Sequence, residues 1–306
     1  SATGDKLAVV GRAFTHTTGD FSNLLASTAN KAMLKGWTEA PETFGAWTST
    51  GSLPDFKPTS RVDIGAFPAL SLVPEGAEYT YATLADRGET AQIATYGKLF
   101  SITRQAIIND DLNAFTRIPA SMARAARRTV GNLVYAILTG NPTMGDSVAL
   151  FHATHANLDT GGGSALSVTS LAAARVKMAK QTGQQSEPLN IQPAHLIVPV
   201  ALRDTAAVIL ASEYNPDATN KLQAPNPVRG MVDVIADPRL DAASATAWYL
   251  TASPTAYDAI EVLYLDGNDA PFLDQQQGWN VDGTEFKVRI DAGVKAWEIG
   301  RASCRE

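Results

Sequence analysis

The chain contains 306 residues, of which 45% are apolar and 18% are charged. This composition provides enough material for a hydrophobic core and carries too little charge for a disordered chain, and the length allows about two domains or one large domain. The 25 Lys and Arg residues against 31 Asp and Glu residues give a net charge of −6, which argues against tight binding of duplex nucleic acid by the whole surface. No apolar run approaches the roughly 20 residues of a membrane span, and the single cysteine, Cys304, excludes an intramolecular disulfide.

Residues 1–45 are predicted to form an arm that contains one amphipathic helix. Residues 1–20 are rich in Thr and Gly and have no core of their own. Asp20 is a suitable N-cap, and apolar residues then recur at helical spacing as far as Gly36, which is a suitable stop. We therefore predict a helix over residues 21–35.

A long two-stranded hairpin is predicted for residues 68–93. This segment alternates loosely between polar and apolar residues and its charge is mostly negative. Its charged residues are Glu75, Glu78, Asp86, Arg87 and Glu89. Because an isolated two-stranded hairpin is only marginally stable, we expect this one to rest on a partner. The chain then returns to a predicted strand over residues 94–103.

The clearest element of the sequence is a long helix predicted over residues 119–138. Pro119 suits its first turn, and Gly140 and Pro142 suit its end. Apolar residues recur along it and occupy about 120° of the helical wheel; they are Ile118, Met122, Ala126, Val130, Leu133 and Ile137. The opposite side carries the arginines Arg117, Arg124, Arg127 and Arg128. These cations could contact phosphate or a neighbour's carboxylates, or form a solvated face.

The region from residue 170 to residue 260 is predicted to be a compact α/β domain. Ser170 is a suitable N-cap for the first helix. The expected elements are helices over residues 171–181 and 200–211 and strands over residues 194–198, 231–236 and 247–251. Another strand is predicted after them, over residues 260–265. Asp282-Gly283 is a hairpin-turn signal, and the residues after it alternate as a strand with one wet face.

Motifs for catalysis are scarce. His152 and His155 have the only spacing that resembles a metal site, but a strand would point them to opposite faces. A zincin motif needs Glu after the first His and a four-residue step, whereas Ala153 follows His152. We interpret the pair as hydrogen-bonding loop residues, and we predict no catalytic residue, cofactor or metal ligand. A metal-dependent hydrolase using His152 and His155 is the alternative from a different functional class.

The last nine residues, 298–306, are similar to the translation of a common sequencing adapter. The other interpretation is a natural polar tail. We expect this segment to be an appended tail, and the family pattern described next continues past Trp297 where this chain departs from it.

Several segments of the sequence carry motifs in a fixed order; they are 96–105, 109–112, 138–142, 150–158, 235–240 and 282–296. Together they resemble motifs of the tailed-bacteriophage major capsid proteins, in the group whose capsid gene is associated with a prohead maturation protease. The resemblance covers roughly residues 20–297 and is strongest from Tyr96 onward.

This resemblance implies an α+β architecture, the Hong Kong 97-type fold, with an N-terminal arm, an extended loop, a peripheral domain with a long spine helix and an axial domain. On that basis we expect the arm at 1–45 and the extended loop at 68–93. The peripheral domain would comprise 46–67, 94–165 and 262–297, and the axial domain 166–261.

The resemblance further implies a structural protein that self-assembles into hexamers and pentamers of an icosahedral shell around double-stranded DNA. A maturation protease, a portal and a decoration protein are the implied partners, with no membrane, and the shell would form in the bacterial host cytoplasm. Candidate assembly residues are the four arginines of the spine helix and the charged residues of the extended loop. An encapsulin-type compartment, which has the same fold and encloses protein cargo, is the nearer alternative.

Overall fold

The computed structural model describes residues 18–64, 72, 86–103, 114–161, 163–183, 187–217, 224–277, 283–297 and 302–305. The chain divides into two compact units. The first unit comprises residues 1–41, 95–129 and 269–291, and the second comprises residues 42–94, 130–268 and 292–306. The domain bounds expected from the family resemblance are a separate division of the chain and stay a prediction.

Helices and strands are both present, as an α+β fold requires. The helices are α1 (Thr18–Thr38), α2 (Ala114–Gly140), α3 (Val168–Ala179), α4 (Arg203–Ala211) and α5 (Pro238–Ala243). The strands are β1 (Ser49–Leu53), β2 (Thr59–Ile64), β3 (Asp86–Ala91), β4 (Ala94–Thr103), β5 (Leu158–Asp159), β6 (Pro193–Val198), β7 (Asp233–Ala236), β8 (Trp248–Ala252), β9 (Ile260–Leu265), β10 (Phe272–Gln277), β11 (Gly283–Ala296) and β12 (Ala302–Arg305). Short 3-10 helices occupy Phe44–Ala46, Ala153–His155 and Val200–Leu202.

In the first unit, α1 continues through Gly36 and ends at Thr38, so the predicted stop at Gly36 is wrong. A Cβ atom at Gly36 would overlap the backbone of Ala120. Gly36 is therefore needed for the close approach of α1 to α2 and not for ending the helix. Phe286 of β11 and Ala29 of α1 are buried together in a small core.

The strands of the first unit pair around the first half of β11, and β10 is antiparallel to it. β10 pairs with β11 from Phe272 opposite Arg289 to Gln277 opposite Thr284, and β4 also pairs with β11. The strand predicted over residues 94–103 is confirmed with the same bounds. The turn predicted at Asp282-Gly283 falls partly outside the described residues.

The helix α2 begins before the predicted Pro119, at Ala114, and ends at Gly140. Among residues 117–140, the buried residues are Pro119, Ala123, Val130, Gly131, Val134, Tyr135 and Leu138. Only Val130 of the predicted apolar stripe is among them, because the buried face is turned by about 100° at 100° per residue. Counting only bulky aliphatic residues missed this face, which uses small residues such as Ala123 and an aromatic ring with a hydroxyl, Tyr135.

The second unit contains a five-stranded sheet in the order β5-β12-β8-β6-β7. β6 is antiparallel to β8 and parallel to β7. Helices α3 and α4 share one apolar core with β6 and β8, in which Leu196, Leu250 and Trp248 are fully buried. Residues 302–305, within the predicted appended tail, form β12 beside β8.

The first helix of this sheet region starts earlier than predicted. Ser167, not Ser170, is the N-cap of α3. The Ser167 side chain accepts a hydrogen bond from the Ser170 amide, and the Ser170 hydroxyl oxygen accepts one from the Ser167 amide. The predicted helix at 200–211 is a 3-10 turn followed by α4. The predicted strand at 260–265 is confirmed as β9.

A second group of strands in this unit surrounds β9. β1 lies parallel to β9, and residues 292–296 of β11 lie antiparallel to it. Beside them β2 and β3 form a two-stranded antiparallel ladder, from Thr59 opposite Ala91 to Ile64 opposite Asp86. This ladder is the base of the hairpin, but β2 precedes the predicted segment 68–93, so the pairing begins earlier in the chain than predicted. Residues 65–71 and 73–85, which carry most of the predicted extended loop, lie outside the described residues. In the described ranges, no helix has the length and apolarity needed to cross a membrane.

Candidate assembly surface

Three of the four predicted arginines form an exposed stripe on α2. Arg117, Arg124 and Arg128 are all exposed, and at 100° per residue they lie within about 40° of the helical wheel. Within the part of the chain that the structure describes, none of them forms an ion pair. A guanidinium stays charged and can bind a carboxylate with two parallel hydrogen bonds. These three residues, called the arginine stripe below, can therefore bind acidic groups of another chain.

The fourth arginine has an internal contact. Arg127 is half-buried, and its guanidinium lies 5.0 Å from the centre of the Trp37 ring of α1. It lies about 60° or more from the other three on the wheel, so the helical period separates it from the stripe. A cation over an indole ring is attracted by the negative face of the ring. Arg127 therefore links α2 to α1 within the first unit.

An apolar groove lies in the first unit, with a volume of about 600 Å³. One wall is the strand segment 95–100 of β4 and the other is α2. The helix contributes Met122, Ala125, Ala126 and Thr129, and β11 contributes Val288 and Ile290. Met122 and Ala126 belong to the stripe that was predicted to be core. They are half-buried because they face this groove.

The charged residues of the hairpin segment that were predicted for assembly fall into three groups. Glu75 and Glu78 lie outside the described residues. Asp86 and Arg87 belong to β3, and the structure describes their backbone only. Glu89 is buried and contacts its own chain: it accepts a hydrogen bond from the Gly145 amide at 2.7 Å and pairs with Lys295 at 2.9 Å.

A buried polar cluster that sequence reasoning missed joins α2 to the start of α5. Arg239 donates to both carboxylate oxygens of Glu42 at 2.8 Å and to Asp237 at 3.3 Å. Thr43 donates to the same Asp237 oxygen at 2.8 Å, and the Tyr135 hydroxyl lies 2.6 Å from the Thr43 hydroxyl. Asp237 and Arg239 lie in one of the family-like motifs, which was the only sequence signal for this cluster.

Burial is the main reason that the Tyr135 hydroxyl is hard to ionise. It raises the pKa of Tyr135 to about 12, the hydrogen bond with Thr43 opposes the rise, and the charge of Asp237 adds to it. The phenol therefore stays protonated at neutral pH and serves as a hydrogen-bond donor. The cluster as a whole satisfies two buried carboxylates with one guanidinium, so its function is structural.

His152, which caps the Ala153–His155 turn, and His155 within it are both hydrogen-bonded, as interpreted. His152 Nδ1 accepts from the Thr154 amide at 3.2 Å. His155 contacts the Leu150 carbonyl through Nδ1 at 3.1 Å and Asp146 through Nε2 at 2.8 Å. No group of three or more potential metal ligands occurs among the described residues. The ring of His155 is thus occupied in holding its own loop.

Comparison with known proteins identifies the family. The family model described as phage capsid protein matches residues 88–302, which is more than half of the chain. Curated protein sequences contain no match. Because the matching family is one of phage capsids, the encapsulin alternative is not favoured.

Solved capsid structures share the fold. The head structure of Helicobacter pylori bacteriophage KHP40 matches with a TM-score of 0.58 and 11% identity over 84% of each chain. The capsid of bacteriophage JBD30 matches with a TM-score of 0.55 and 16% identity, covering 66% of this chain and 91% of that one. A virus-like particle from Pyrococcus furiosus matches with a TM-score of 0.52 and 11% identity, covering 92% of this chain and 98% of that one. With the Hong Kong 97-type fold and a family match over most of its length, this chain belongs to the phage capsid protein family and is a structural major capsid protein.

Proposed function

We propose that this chain self-assembles into hexamers and pentamers of an icosahedral shell that encloses the double-stranded DNA of a tailed phage or prophage. Assembly takes place in the bacterial host cytoplasm, with a prohead maturation protease, a portal and possible decoration proteins as partners, and the chain itself has no enzymatic activity. The family match over residues 88–302 carries the proposal. Identical subunits that contact each other head to tail close into rings, which is how capsomers arise.

The proposed contact between subunits is electrostatic. The arginine stripe of one subunit binds the acidic segment of a neighbour that contains Glu75, Glu78 and Asp86, with Arg87 at its edge. The support for this contact is that Arg117, Arg124 and Arg128 are exposed and have no ion-pair partner in the described ranges of their own chain. Glu89 and Arg127, which were predicted to share this contact, are engaged within their own subunit.

The packaged DNA is enclosed without sequence-specific binding. A net charge of −6 gives little affinity for phosphate, because DNA binding depends on Lys and Arg contacts. The shell is held without covalent cross-links, since residues 68–93 contain no lysine and an isopeptide bond needs an amine. Mature particles boiled in detergent should therefore give a single band near 32.4 kDa; a ladder of multimers would contradict this part of the proposal.

Charge reversal tests the proposed contact. The double variant Arg124→Glu/Arg128→Glu should fold normally and should yield few closed particles by sedimentation and electron microscopy. Adding Glu75→Arg and Glu78→Arg should restore particles, because the attraction is then rebuilt with opposite signs. Arg229→Glu changes an exposed arginine of the second unit and serves as the matched control. Normal particles from the first double variant would overturn the contact.

The composition of purified particles separates this function from the two alternatives. Particles from an induced lysogen should contain nuclease-protected double-stranded DNA, whereas an encapsulin-type compartment would contain a protein cargo. Stoichiometric zinc or nickel that disappears in His152→Ala/His155→Ala would instead support the hydrolase alternative. That result would contradict the absence of enzymatic activity.

A further inference from the structure

Four charged residues meet where the base of the β2–β3 hairpin lies on the β9–β11 strand pair. Arg61 of β2 is directly opposite Glu89 of β3 in the hairpin ladder. Glu261 of β9 is directly opposite Lys295 of β11 in the other ladder. Each ladder therefore contributes one cation and one carboxylate at neighbouring positions. These four residues are called the charge quartet below.

Ion pairs cross between the two ladders and complete the quartet. Arg61 Nη1 lies 2.6 Å from Glu261 Oε2, and Lys295 Nζ lies 2.9 Å from Glu89 Oε2. Each charge thus has opposite charges as its neighbours, both along its own ladder and across to the other. One link starts from β2 and the other from β3, so the hairpin is attached at two points. Rotation of the hairpin about either link would break the other.

The carboxylates of the quartet are buried and depend on these partners. The Glu261 and Glu89 side chains are only 5% and 4% exposed, while Arg61 and Lys295 are 50% and 23% exposed. A buried carboxylate is costly unless it is paired and hydrogen-bonded. Burial raises the pKa of the Glu261 carboxyl, and the charge of Arg61 opposes that rise.

Neighbouring groups fit the carboxylates closely. The Gly145 amide donates to the second oxygen of Glu89 at 2.7 Å. A Cβ atom at Gly51 of β1 would overlap Glu261 Oε1, so only glycine leaves room for that carboxylate. The Arg61 guanidinium lies 4.9 Å from the centre of the Trp297 ring. Both oxygens of Glu89 are therefore bound, one by the Gly145 amide and the other by Lys295.

Among the side chains that the structure describes, apolar contacts at the same place are few. The nearby core contains Leu53, Ala91, Ile93, Leu263 and Trp297, and Ala91 is the contribution that the described side chains of the hairpin strands make to it. A two-stranded ladder is only marginally stable by itself. Apolar contact is also non-directional, whereas alternating charges allow one arrangement and penalise others by like-charge contact.

We infer that the charge quartet positions the hairpin base: it holds β2 and β3 in one orientation on β9 and β11 and so fixes where the two strands end, at Ile64 and Asp86. This inference rests on the proposed function, because the sequence between these two strand ends contains Glu75 and Glu78, which are proposed to bind the arginine stripe. Arg61, Glu89, Glu261 and Lys295 are positioning residues and do not themselves contact the neighbouring subunit.

The test removes the charges while keeping the side-chain sizes. The variants are Glu89→Gln/Lys295→Met and Arg61→Met/Glu261→Gln, with Asp274→Asn/Lys287→Met as the matched control, an ion pair at 3.1 Å on β10 and β11. Amide hydrogen exchange of residues 59–64 and 86–91 in the purified full chain reports how often the β2–β3 ladder opens, and therefore how firmly the quartet holds it. The melting temperature reports the whole fold, and the yield of closed particles reports assembly.

Each quartet variant should exchange at least about tenfold faster in β2 and β3, with an unchanged melting temperature and a clear loss of closed particles. The control should exchange there at the wild-type rate. Unchanged exchange in the quartet variants would overturn the positioning role of the charge quartet, and faster exchange with a normal particle yield would overturn its role in assembly. If the wild type itself forms no particles, the proposed function fails, while the exchange result still decides whether the quartet holds the hairpin.

Discussion

The core around β6 and β8 and the base of the β2–β3 hairpin belong to the same unit, but they are held in different ways. In the core, Leu196 of β6 lies opposite Leu250 of β8, and both are fully buried between strands and helices. At the hairpin base, Arg61 lies opposite Glu89. Each of them also forms an ion pair with the neighbouring ladder, Arg61 with Glu261 and Glu89 with Lys295.

The difference shows two separate tasks in one subunit. Burial of apolar surface supplies most of the free energy of folding and has no preferred direction. Buried ion pairs contribute little net stability because desolvation offsets their attraction, but breaking one leaves a costly unpaired charge. A shell subunit needs both, since it must fold by itself and must also present its contact segments at fixed angles.

The largest effect is expected from the apolar core. Leu250→Ala removes a fully buried side chain and leaves a cavity that the packed sheet cannot fill. Substitutions of this kind cost about 2–5 kcal/mol. Denaturant unfolding of the full chain should show a loss of that size, and a loss below about 1 kcal/mol would contradict the described packing of β8.

At the charge quartet, removing one partner should cost more than removing both. Lys295→Met alone leaves the buried Glu89 carboxylate without its cation and should lower the free energy of unfolding by about 1–3 kcal/mol. Glu89→Gln/Lys295→Met should recover most of that loss, because no unpaired charge remains. Additive losses in the double variant would show that the two residues do not interact.

Arg127 and Arg124 provide a smaller comparison on the same helix. Arg127→Ala removes the contact with Trp37 and should lower the free energy of unfolding by about 0.5–1 kcal/mol. Arg124→Ala changes an exposed residue and should leave stability unchanged while reducing assembly. The result would be contradicted if the stability loss appeared in Arg124→Ala instead.

The smallest effect is a pH dependence at Glu261. Burial raises the pKa of its carboxyl, Arg61 lowers it, and Asp258 adds to the rise. The pKa of the Glu261 carboxyl is higher in the folded chain than in the unfolded chain. The contribution of this carboxyl to stability is therefore complete below the ordinary carboxyl pKa and is lost as the pH rises through the raised pKa. The stability of Glu261→Gln relative to the wild type should therefore increase from acidic to neutral pH. Melting temperatures of both proteins across that range check this, and a difference that shrinks toward neutral pH would contradict it.

Local sequence patterns predicted the strands better than the buried face of the long helix. The segments 94–103 and 260–265 were predicted with correct bounds because alternating or continuous apolar residues mark a strand directly. The buried face of α2 was missed because Ala123 and Tyr135 do not look like a hydrophobic stripe. Gly36 was misread because a glycine that ends a helix and one that lets two helices approach have the same sequence signature.

Whether a functional feature could be predicted from the sequence depended on how far apart its residues lie along the chain. The exposed arginines at positions 117, 124 and 128 share a helix face, so the sequence alone could place them together. The charge quartet could not be found in this way, because Arg61 and Glu261 are far apart in sequence and meet only after two ladders have formed. The fold and the family followed from several motifs in a fixed order, and composition alone would not have identified them.

An electron cryomicroscopy reconstruction of particles formed by the full chain tests the central claim most directly. The account predicts closed icosahedral shells of hexamers and pentamers. In these shells, the acidic segment around Glu75 and Glu78 of one subunit should lie within ion-pair distance of Arg117, Arg124 or Arg128 of its neighbour. A chain that stays monomeric, or a shell in which the arginine stripe faces solvent throughout, would contradict it.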